Sequence, residues 1–255
     1  VAHQFQEAGV NVSIQAWGTT ETGKKRASNQ DNYCIDQPGR LLAVADGMGG
    51  AVAGELASQI FVQTVTEFRK QPMPESFQQA ARMVQDIFRR ANQAIREHIR
   101  ARPEHDGMGC TAEVIAFFPG GFVVGHVGDS RTYRLRKGVL TQLSKDHSFI
   151  QDQLDHGLIS PEEAHNHRMR HIILRAVGTE DELQVDLIQG LYLDRDIYVL
   201  CSDGLTDMID DQTIHSSLER QVPLEDKGTD LVGKALNAGG LDNITLVLAE
   251  VQNRV

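Results

Sequence analysis

The chain has 255 residues, of which 40% are hydrophobic, and its formal net charge is −10. This length supports one large hydrophobic core, while the negative charge disfavours a nucleic-acid-binding surface. No apolar run approaches the ~20 residues that a membrane-spanning helix needs, so we expect neither a nucleic-acid nor a membrane partner. Three cysteines lie in or beside apolar segments, which predicts reduced thiols and a cytoplasmic protein.

The first part of the chain leads to a glycine-rich strand end. Residues 1–11 show no pattern and are interpreted as an N-terminal tail. Alternating apolar residues at 12–16 predict a half-buried strand. Residues 17–29 are expected to form a loop. The apolar run at 41–45 then enters Asp46-Gly47-Met48-Gly49-Gly50. A carboxylate beside a bare glycine carbonyl suits Mg²⁺ or Mn²⁺, although an ordinary turn explains this stretch equally well by itself.

The middle of the chain predicts helices and then hairpins. Apolar residues at three- and four-residue spacing indicate helices over 54–68 and 77–99, which suggests a helical layer packed on a sheet. Pro119-Gly120-Gly121 and Lys137-Gly138 then separate pairs of short apolar strands. These hairpins favour an antiparallel sheet over a doubly wound parallel one.

Residues 147–171 are polar and contain five histidines: His147, His156, His165, His167 and His171. Ser160-Pro161-Glu162-Glu163 is a capping box that predicts a short helix. A zinc site is a weaker interpretation, because no Glu follows His167 as an HExxH motif requires and no cysteine is near. We therefore interpret this segment as a surface lid.

Aspartates recur at the ends of apolar strands along the chain. Asp129 follows the strand at 122–127, Asp203 follows the strand at 197–201, and Asp242 precedes the last strand, at 244–251. Aspartate is depleted inside strands, so this repetition together with Asp46 indicates a shared site. Four carboxylates in one small volume repel each other, and divalent cations are the ordinary way to keep them ionised.

Several motifs in fixed order carry a resemblance to a known family. They are Gly23…Arg26…Asn29-Gln30-Asp31, Asp46-Gly47-Met48-Gly49-Gly50, Gly128-Asp129-Ser130-Arg131, Asp146-His147-Ser148, Ser202-Asp203-Gly204-Leu205…Asp207 and Asp242-Asn243-Ile244-Thr245. This set resembles the metal-dependent protein Ser/Thr phosphatases, the PPM or type-2C family, in its compact bacterial form. The resemblance implies an α+β fold, a four-layer α-β-β-α sandwich of two antiparallel sheets with helices on both outer faces. It also implies a single catalytic domain at 12–251, with a lid at 147–171.

The resemblance further implies a role for each motif residue. The expected cofactors are Mn²⁺ or Mg²⁺, as two core ions and a third. The resemblance implies that Asp46 is the bridging metal ligand, with the Gly47 carbonyl beside it. Asp203 and Asp242 are implied at the first metal, and Asp31 near the second through water. Asp129 together with Asp203 is implied at the third metal. The remaining implied residues are Arg26 for phosphate binding, and Asp146 and Asn243 in support.

The implied activity is hydrolysis of phosphoserine and phosphothreonine in proteins by direct attack of a metal-bridging water or hydroxide. Arg26 is suited to fork two donors onto phosphate oxygens. Met48 stands where some eukaryotic members carry a histidine proposed as general acid. Our hypothesis is therefore that water on the third metal, held by Asp129, protonates the leaving group, and the alternative is that Asp129 only caps its turn.

The expected partners are phosphorylated protein substrates of a monomeric enzyme that opposes a Ser/Thr kinase. Two alternatives use the same scaffold: a partner-switching phosphatase that serves one small regulatory phosphoprotein, and a binding module without activity. The second is disfavoured because no predicted metal acid is missing from the sequence. We expect the lid to select phosphoproteins, with His167 as the residue to test.

Overall fold

Two antiparallel sheets form the centre of the protein. The computed structural model describes residues 11–36, 39–50, 53–165 and 167–254. The first sheet contains, in spatial order, β1 (Asn11–Glu21), β11 (Ile244–Arg254), β10 (Ile197–Cys201), β7 (Arg131–Arg136) and β8 (Val139–Gln142). The second contains β2 (Asp31–Ile35), β3 (Leu41–Met48), β5 (Ala112–Phe118), β6 (Gly121–Val127) and β9 (Asp186–Gly190), with β4 (Gly109–Cys110) paired to β3.

Helices cover the outer face of each sheet. The second sheet is covered by α1 (Ala53–Phe68) and α2 (Phe77–Ala101), and the first by α5 (Asp203–Thr206), α6 (Asp211–Leu218) and α7 (Leu224–Asn237). Two short helices, α3 (Phe149–Asp155) and α4 (Pro161–His165), belong to the lid. The predicted four-layer α-β-β-α sandwich is confirmed.

The core has one apolar cluster under each helical layer and a third between the sheets. Between the sheets the ring of Tyr198 lies edge-on to those of Phe117 and Phe122, at centroid distances of 5.2 and 4.9 Å. Helix α2 approaches β6 closely at Gly125, where a Cβ would lie 2.3 Å from Val84 Cγ1.

The N-terminal strand is longer than the sequence pattern indicates. β1 begins at Asn11, so the predicted tail of 1–11 was one residue too long, and its first ten residues lie outside the described part of the chain. β1 also continues to Glu21, and the predicted loop at 17–29 is correspondingly shorter. Every residue of β1 pairs with β11, which itself runs three residues past the predicted boundary at 251. A long-range partner therefore overrides the local polar pattern.

The lid has the predicted capping box at its second helix. The Ser160 N–H donates to Glu163 Oε2 at 2.8 Å, and the Glu163 N–H donates to Ser160 Oγ at 3.2 Å. The two ends of the lid are joined where the Leu174 N–H donates to the His147 carbonyl at 2.7 Å. In the described part of the chain, no helix has both the length and the apolar character to cross a bilayer.

Candidate active site

The β2–β3 pairing brings the first two predicted acids together. Asp31 and Asp46 are directly opposite each other in the antiparallel register. Asp46 is fixed at its backbone, because its carbonyl accepts from the Thr111 N–H at 2.8 Å. At Gly47 a Cβ would lie 2.0 Å from the Gly54 carbonyl oxygen, so a glycine is required where β3 meets the start of α1.

The other sheet contributes Asp203 and Asp242. Asp203 is the first residue of α5, directly after Ser202 at the end of β10, and Asp242 comes shortly before β11. Asn243 ties this end of β11 to the segment before Asp31. Its Oδ1 accepts from the Gln30 N–H at 2.8 Å, and its Nδ2 donates to two carbonyls of the preceding loop at 2.9 and 3.0 Å. Asn243 therefore supports the acids through backbone contacts.

The carboxyl groups influence one another strongly. Burial raises the pKa of Asp46 well above its usual range, and the negative charges of Asp31 and Asp203 raise it further. Burial also raises the pKa of Asp31, and hydrogen bonds from neighbouring hydroxyl groups partly offset this rise. The resulting pKa of Asp31 is about 6. One of these hydrogen bonds is donated by Ser202 Oγ to Asp31 Oδ2 at 2.7 Å. The predicted acids from both sheets thus lie within mutual electrostatic range.

Three of these acids carry a buried oxygen that has no hydrogen-bond partner among the residues the structure describes. They are Oδ1 of Asp31, Oδ1 of Asp129 and Oδ1 of Asp203. Buried polar atoms in folded proteins are nearly always partnered, so a converging set of bare carboxylate oxygens needs an explanation. Oxygen donors of this kind fit hard divalent cations such as Mg²⁺ and Mn²⁺.

Arg26 lies at the solvent edge of the acids. Its Nη2 donates to Asp242 Oδ2 at 2.5 Å, and its side chain is 53% exposed. The hydrogen bond that Arg26 donates to Asp242 raises the pKa of Arg26, and the charges of Asp46 and Asp203 add to that shift. The guanidinium group is therefore both held beside the acids and open to an incoming anion.

Asp129 approaches the same acids from the end of β6. It follows Gly128, whose φ is +109° and where a Cβ would lie 2.5 Å from Thr111 Cβ. Burial raises the pKa of Asp129 to about 7, and the charge of Asp146 is the next contribution. Asp146 itself is held by Arg131, which donates through Nε at 2.9 Å and through Nη2 at 2.7 Å.

Residues of the predicted lid segment line one side of a cavity of about 700 Å³ beside Asp129 and Asp203. His167 is not among the described residues that line this cavity. Its Nδ1 accepts from the Met169 N–H at 3.2 Å, and its ring lies 6.2 Å from that of Phe149. The predicted lid histidine therefore lies within the lid and away from the acids.

The structure adds two residues to which the sequence assigned no role. One ligand atom each of His171, Asp203 and Asp207 lies within 4.8 Å of the others. Asp207 is four residues after Asp203, a spacing that places two side chains on the same side of a helical turn. This spacing could have indicated from the sequence that Asp207 lies beside Asp203. His171 had no distinguishing signal among five lid histidines.

Comparison with known proteins places these residues in a family. The sequence profile of the Protein phosphatase 2C family matches residues 20–237. Protein phosphatase PhpP of Streptococcus pneumoniae is 35% identical over 91% of this chain and 95% of its own length. The chain belongs to the protein phosphatase 2C family. The resemblance inferred from the ordered motifs is thereby confirmed.

A longer member of the protein phosphatase 2C family is also similar. Serine/threonine protein phosphatase PstP of Mycobacterium tuberculosis is 38% identical over 96% of this chain, which spans 46% of the length of PstP. The catalytic domain of PstP has been solved in complex with two manganese ions, and it matches 95% of this chain at a TM-score of 0.87 and 36% identity. The part of PstP that this chain matches is therefore its catalytic domain.

Proposed function

We propose that this chain is a Mn²⁺- or Mg²⁺-dependent phosphatase for phosphoserine and phosphothreonine in proteins. The observation that carries the proposal is the convergence of Asp31, Asp129 and Asp203 with their bare buried oxygens. The relatives named as Ser/Thr phosphatases support the same substrate class. A buried acid cluster with bare oxygens is what a cation-dependent reaction on a phosphate dianion requires.

We assign the residues of the centre as follows. Asp46, the Gly47 carbonyl, Asp203 and Asp242 would hold the first cation, and Asp31 and Asp46 the second. Asp129 and Asp203 would hold a third. When bound, these cations supply Lewis acidity and lower the pKa of water.

Arg26 is assigned to the substrate phosphate. A guanidinium group forks two donors onto phosphate oxygens, and Arg26 has the necessary exposure at the edge of the acids. Its bond to Asp242 keeps the group oriented toward the centre before substrate arrives. Asp146 and Asn243 act on the centre only through the backbone and the neighbouring side chains that they hold.

We further propose that the enzyme is a cytoplasmic monomer that opposes a Ser/Thr kinase and acts on more than one phosphoprotein. The cysteines support a reducing compartment, because Cys34, Cys110 and Cys201 are all buried free thiols. Burial raises the pKa of Cys110 and Cys201, which makes both thiols unreactive. A partner-switching phosphatase would instead act on a single phosphoprotein.

The test is hydrolysis of p-nitrophenyl phosphate and of a phosphoserine peptide by metal-stripped protein, with and without added Mn²⁺. We expect activity only with the metal, and its loss in Asp46→Asn. Asp36→Asn is the matched control, since Asp36 is also buried but accepts from the Leu41 N–H beyond the opposite end of β2. Turnover without metal, or none with it, would remove the proposal.

A further inference from the structure

A second buried acid, Glu113, lies outside the centre and links the two sheets. Glu113 in β5 and His126 in β6 are both fully buried, and His126 Nδ1 hydrogen-bonds Glu113 Oε1. The other carboxylate oxygen, Oε2, accepts from the hydroxyl group of Thr132 in β7. Since β7 belongs to the opposite sheet, this carboxylate connects both layers of the sandwich.

The second nitrogen of His126 holds a backbone carbonyl. Nε2 lies 2.8 Å from the carbonyl oxygen of Lys145, which is an acceptor, so Nε2 carries a proton. Burial lowers the pKa of His126, but the charge of Glu113 and the hydrogen bonds with Glu113 and Lys145 together outweigh burial, so the pKa is raised. Glu113 thus fixes both the orientation of the ring and the proton on the nitrogen that faces Lys145.

Lys145 begins the segment that packs against the Asp129 turn. The next residue but one, His147, donates its backbone N–H to the Gly128 carbonyl at 2.7 Å. In return, the Gly128 N–H donates to His147 Nδ1 at 3.1 Å. The rings of His126 and His147 lie 4.5 Å apart, so the segment is also held by ring contact. A continuous set of contacts therefore runs from Glu113 to the residue before Asp129.

We propose that Glu113 and His126 are positioning residues that hold the 145–147 segment against the Gly128–Asp129 turn, so that Asp129 faces Asp203 in a cation-binding geometry. The identity of the bound ion rests on the proposed function. Neither positioning residue touches substrate. Their effect on Asp129 passes through the Lys145 carbonyl and the paired backbone of Gly128 and His147.

A purely structural role would make the pair matter for stability alone. The two roles are separable, because replacing a buried charged pair by apolar residues of similar volume is often neutral or stabilising, whereas removing one partner is costly. Glu113→Met combined with His126→Phe keeps the volume and the ring beside His147. The double variant loses the polar contact with Lys145 and the acceptor of the Thr132 hydroxyl group.

The experiment is calorimetric titration of Mn²⁺ into the metal-stripped parent and the double variant, with thermal unfolding recorded alongside. We expect similar unfolding midpoints, but weaker binding of the least tightly held Mn²⁺ by about tenfold or more, the scale typical of groups behind metal ligands. Glu113→Gln should recover the parent isotherm. Its amide can donate to His126 Nδ1 and accept from Thr132, which keeps the proton on Nε2.

Asp196→Asn is the matched control for a buried charged pair away from the centre. Asp196 is 1% exposed and accepts from Arg136 Nε at 2.9 Å, at the opposite end of β10 from Asp203. This variant should lower the unfolding midpoint and leave the Mn²⁺ isotherm unchanged.

An isotherm of the double variant that matches the parent would overturn the positioning role, and so would an equal shift in Asp196→Asn. A parent that binds Mn²⁺ without hydrolysing phosphate esters would remove the proposed function, while the isotherms would still decide the positioning role.

Discussion

Two groups of buried acids in this protein differ in how their oxygens are satisfied. The acidic centre consists of Asp31, Asp46, Asp129, Asp203 and Asp242, and three of its buried oxygens have no hydrogen-bond partner among the described residues. The Glu113 cluster consists of Glu113, His126 and Thr132, and both oxygens of its carboxylate are hydrogen-bonded. Glu113 is fully buried, and Asp31 and Asp129 are nearly so, which means that burial by itself does not distinguish a ligand site from a structural one.

The difference identifies what each group needs from outside the chain. A carboxylate whose two oxygens are both hydrogen-bonded within the folded chain needs no further ligand. Carboxylates that repel each other and have oxygens without a hydrogen-bond partner need a cation to balance their charge and bind those oxygens. The acidic centre should therefore tolerate neutralisation without loss of stability, whereas the Glu113 cluster should lose stability when Glu113 alone is truncated and its partners keep no acceptor.

The largest expected effect is on activity, in Asp46→Asn. Its carboxylate would contact more than one cation, so we expect the Mn²⁺-dependent rate to fall by about a thousandfold or more, the equivalent of several kcal/mol of lost cation catalysis. The metal-free variant should unfold at the same temperature as the parent or higher, because one of the mutually repelling charges is gone. Steady-state rates and differential scanning fluorimetry measure the two effects. Activity within tenfold of the parent would contradict the assignment.

The next effect depends on the substrate, in Asp129→Ala. A seryl alkoxide leaving group needs a proton as the P–O bond breaks, and such proton donation is typically worth about a hundredfold or more. The p-nitrophenolate group needs little protonation and should show a much smaller loss. Rates on a phosphoserine peptide and on p-nitrophenyl phosphate across a Mn²⁺ titration measure the difference. An identical fractional loss on both would leave Asp129 without a part in leaving-group protonation.

The third effect falls on the Glu113 cluster. Glu113→Ala leaves His126 and Thr132 without an acceptor in the core, so we expect a loss of about 3–5 kcal/mol in the free energy of unfolding, as for other broken buried pairs. Urea denaturation of the metal-free protein measures it. Glu113→Gln is the control and should cost far less. A loss as small as that of Asp129→Ala would erase the distinction between the two groups.

The sequence predicted the acidic centre better than it predicted the Glu113 cluster, for a physical reason. Asp46, Asp129 and Asp203 follow apolar strands directly, where an aspartate is unusual, and their motifs have a fixed order. Glu113 and His126 lie within apolar strands, and their partners Thr132 and Lys145 are brought to them only by the packing of the two sheets. The hydrogen bonds of His126 therefore had no signal in the sequence.

Hairpin signals and helical spacing predicted an antiparallel sheet with a helical layer, and the family resemblance implied the four-layer arrangement. The length of β1 was not predicted. Polar residues near its end, such as Thr19 and Thr20, are stabilised by pairing with β11 from the other end of the chain. Thr20 Oγ1 lies 2.6 Å from Thr245 Oγ1 across that pair. Contacts at such sequence separation leave no periodic pattern in either segment.

A smaller effect is expected in the pH dependence of the metal-free protein. The folded-state pKa values of Asp31 and Asp129, about 6 and about 7, are raised above the usual value of an unfolded chain. The stability that their protonated forms contribute is fully present below about pH 4 and is lost as the pH rises through 6 and 7. We expect the unfolding midpoint to fall by a few degrees over this range, about 1–2 kcal/mol for a domain of this size.

Asp129→Asn isolates the part of this pH dependence of stability that comes from Asp129. His147 works in the opposite direction, because burial lowers its pKa to about 4, so it costs stability as the pH falls below its unfolded value near 6.5. That contribution is common to the parent and the variant and cancels in their difference. Unfolding midpoints of both proteins between pH 4 and pH 8 should converge toward the acid end. Parallel curves would contradict the raised pKa of Asp129.

The smallest expected effect is in the lid segment, for a change of His167. This segment lines the cavity beside the acidic centre. No described contact joins His167 to the Glu113 cluster. The described hydrogen bonds and ring contact of His167 all lie within the lid, among them those with Met169 and Phe149, so its loss should alter the shape of the lid and not the chemistry. We expect His167→Ala to change relative rates on different phosphopeptides by about two- to threefold, the equivalent of roughly 0.5 kcal/mol for a surface substitution. The rate on p-nitrophenyl phosphate should stay at the parent value, because that substrate is too small to depend on the lid. His156→Ala is the control, since His156 is an exposed lid histidine whose ring, among the described residues, bonds to the carbonyl and carboxylate of Asp152 in α3. Equal losses on the aryl phosphate and the peptides would mean that His167 reaches the acidic centre after all.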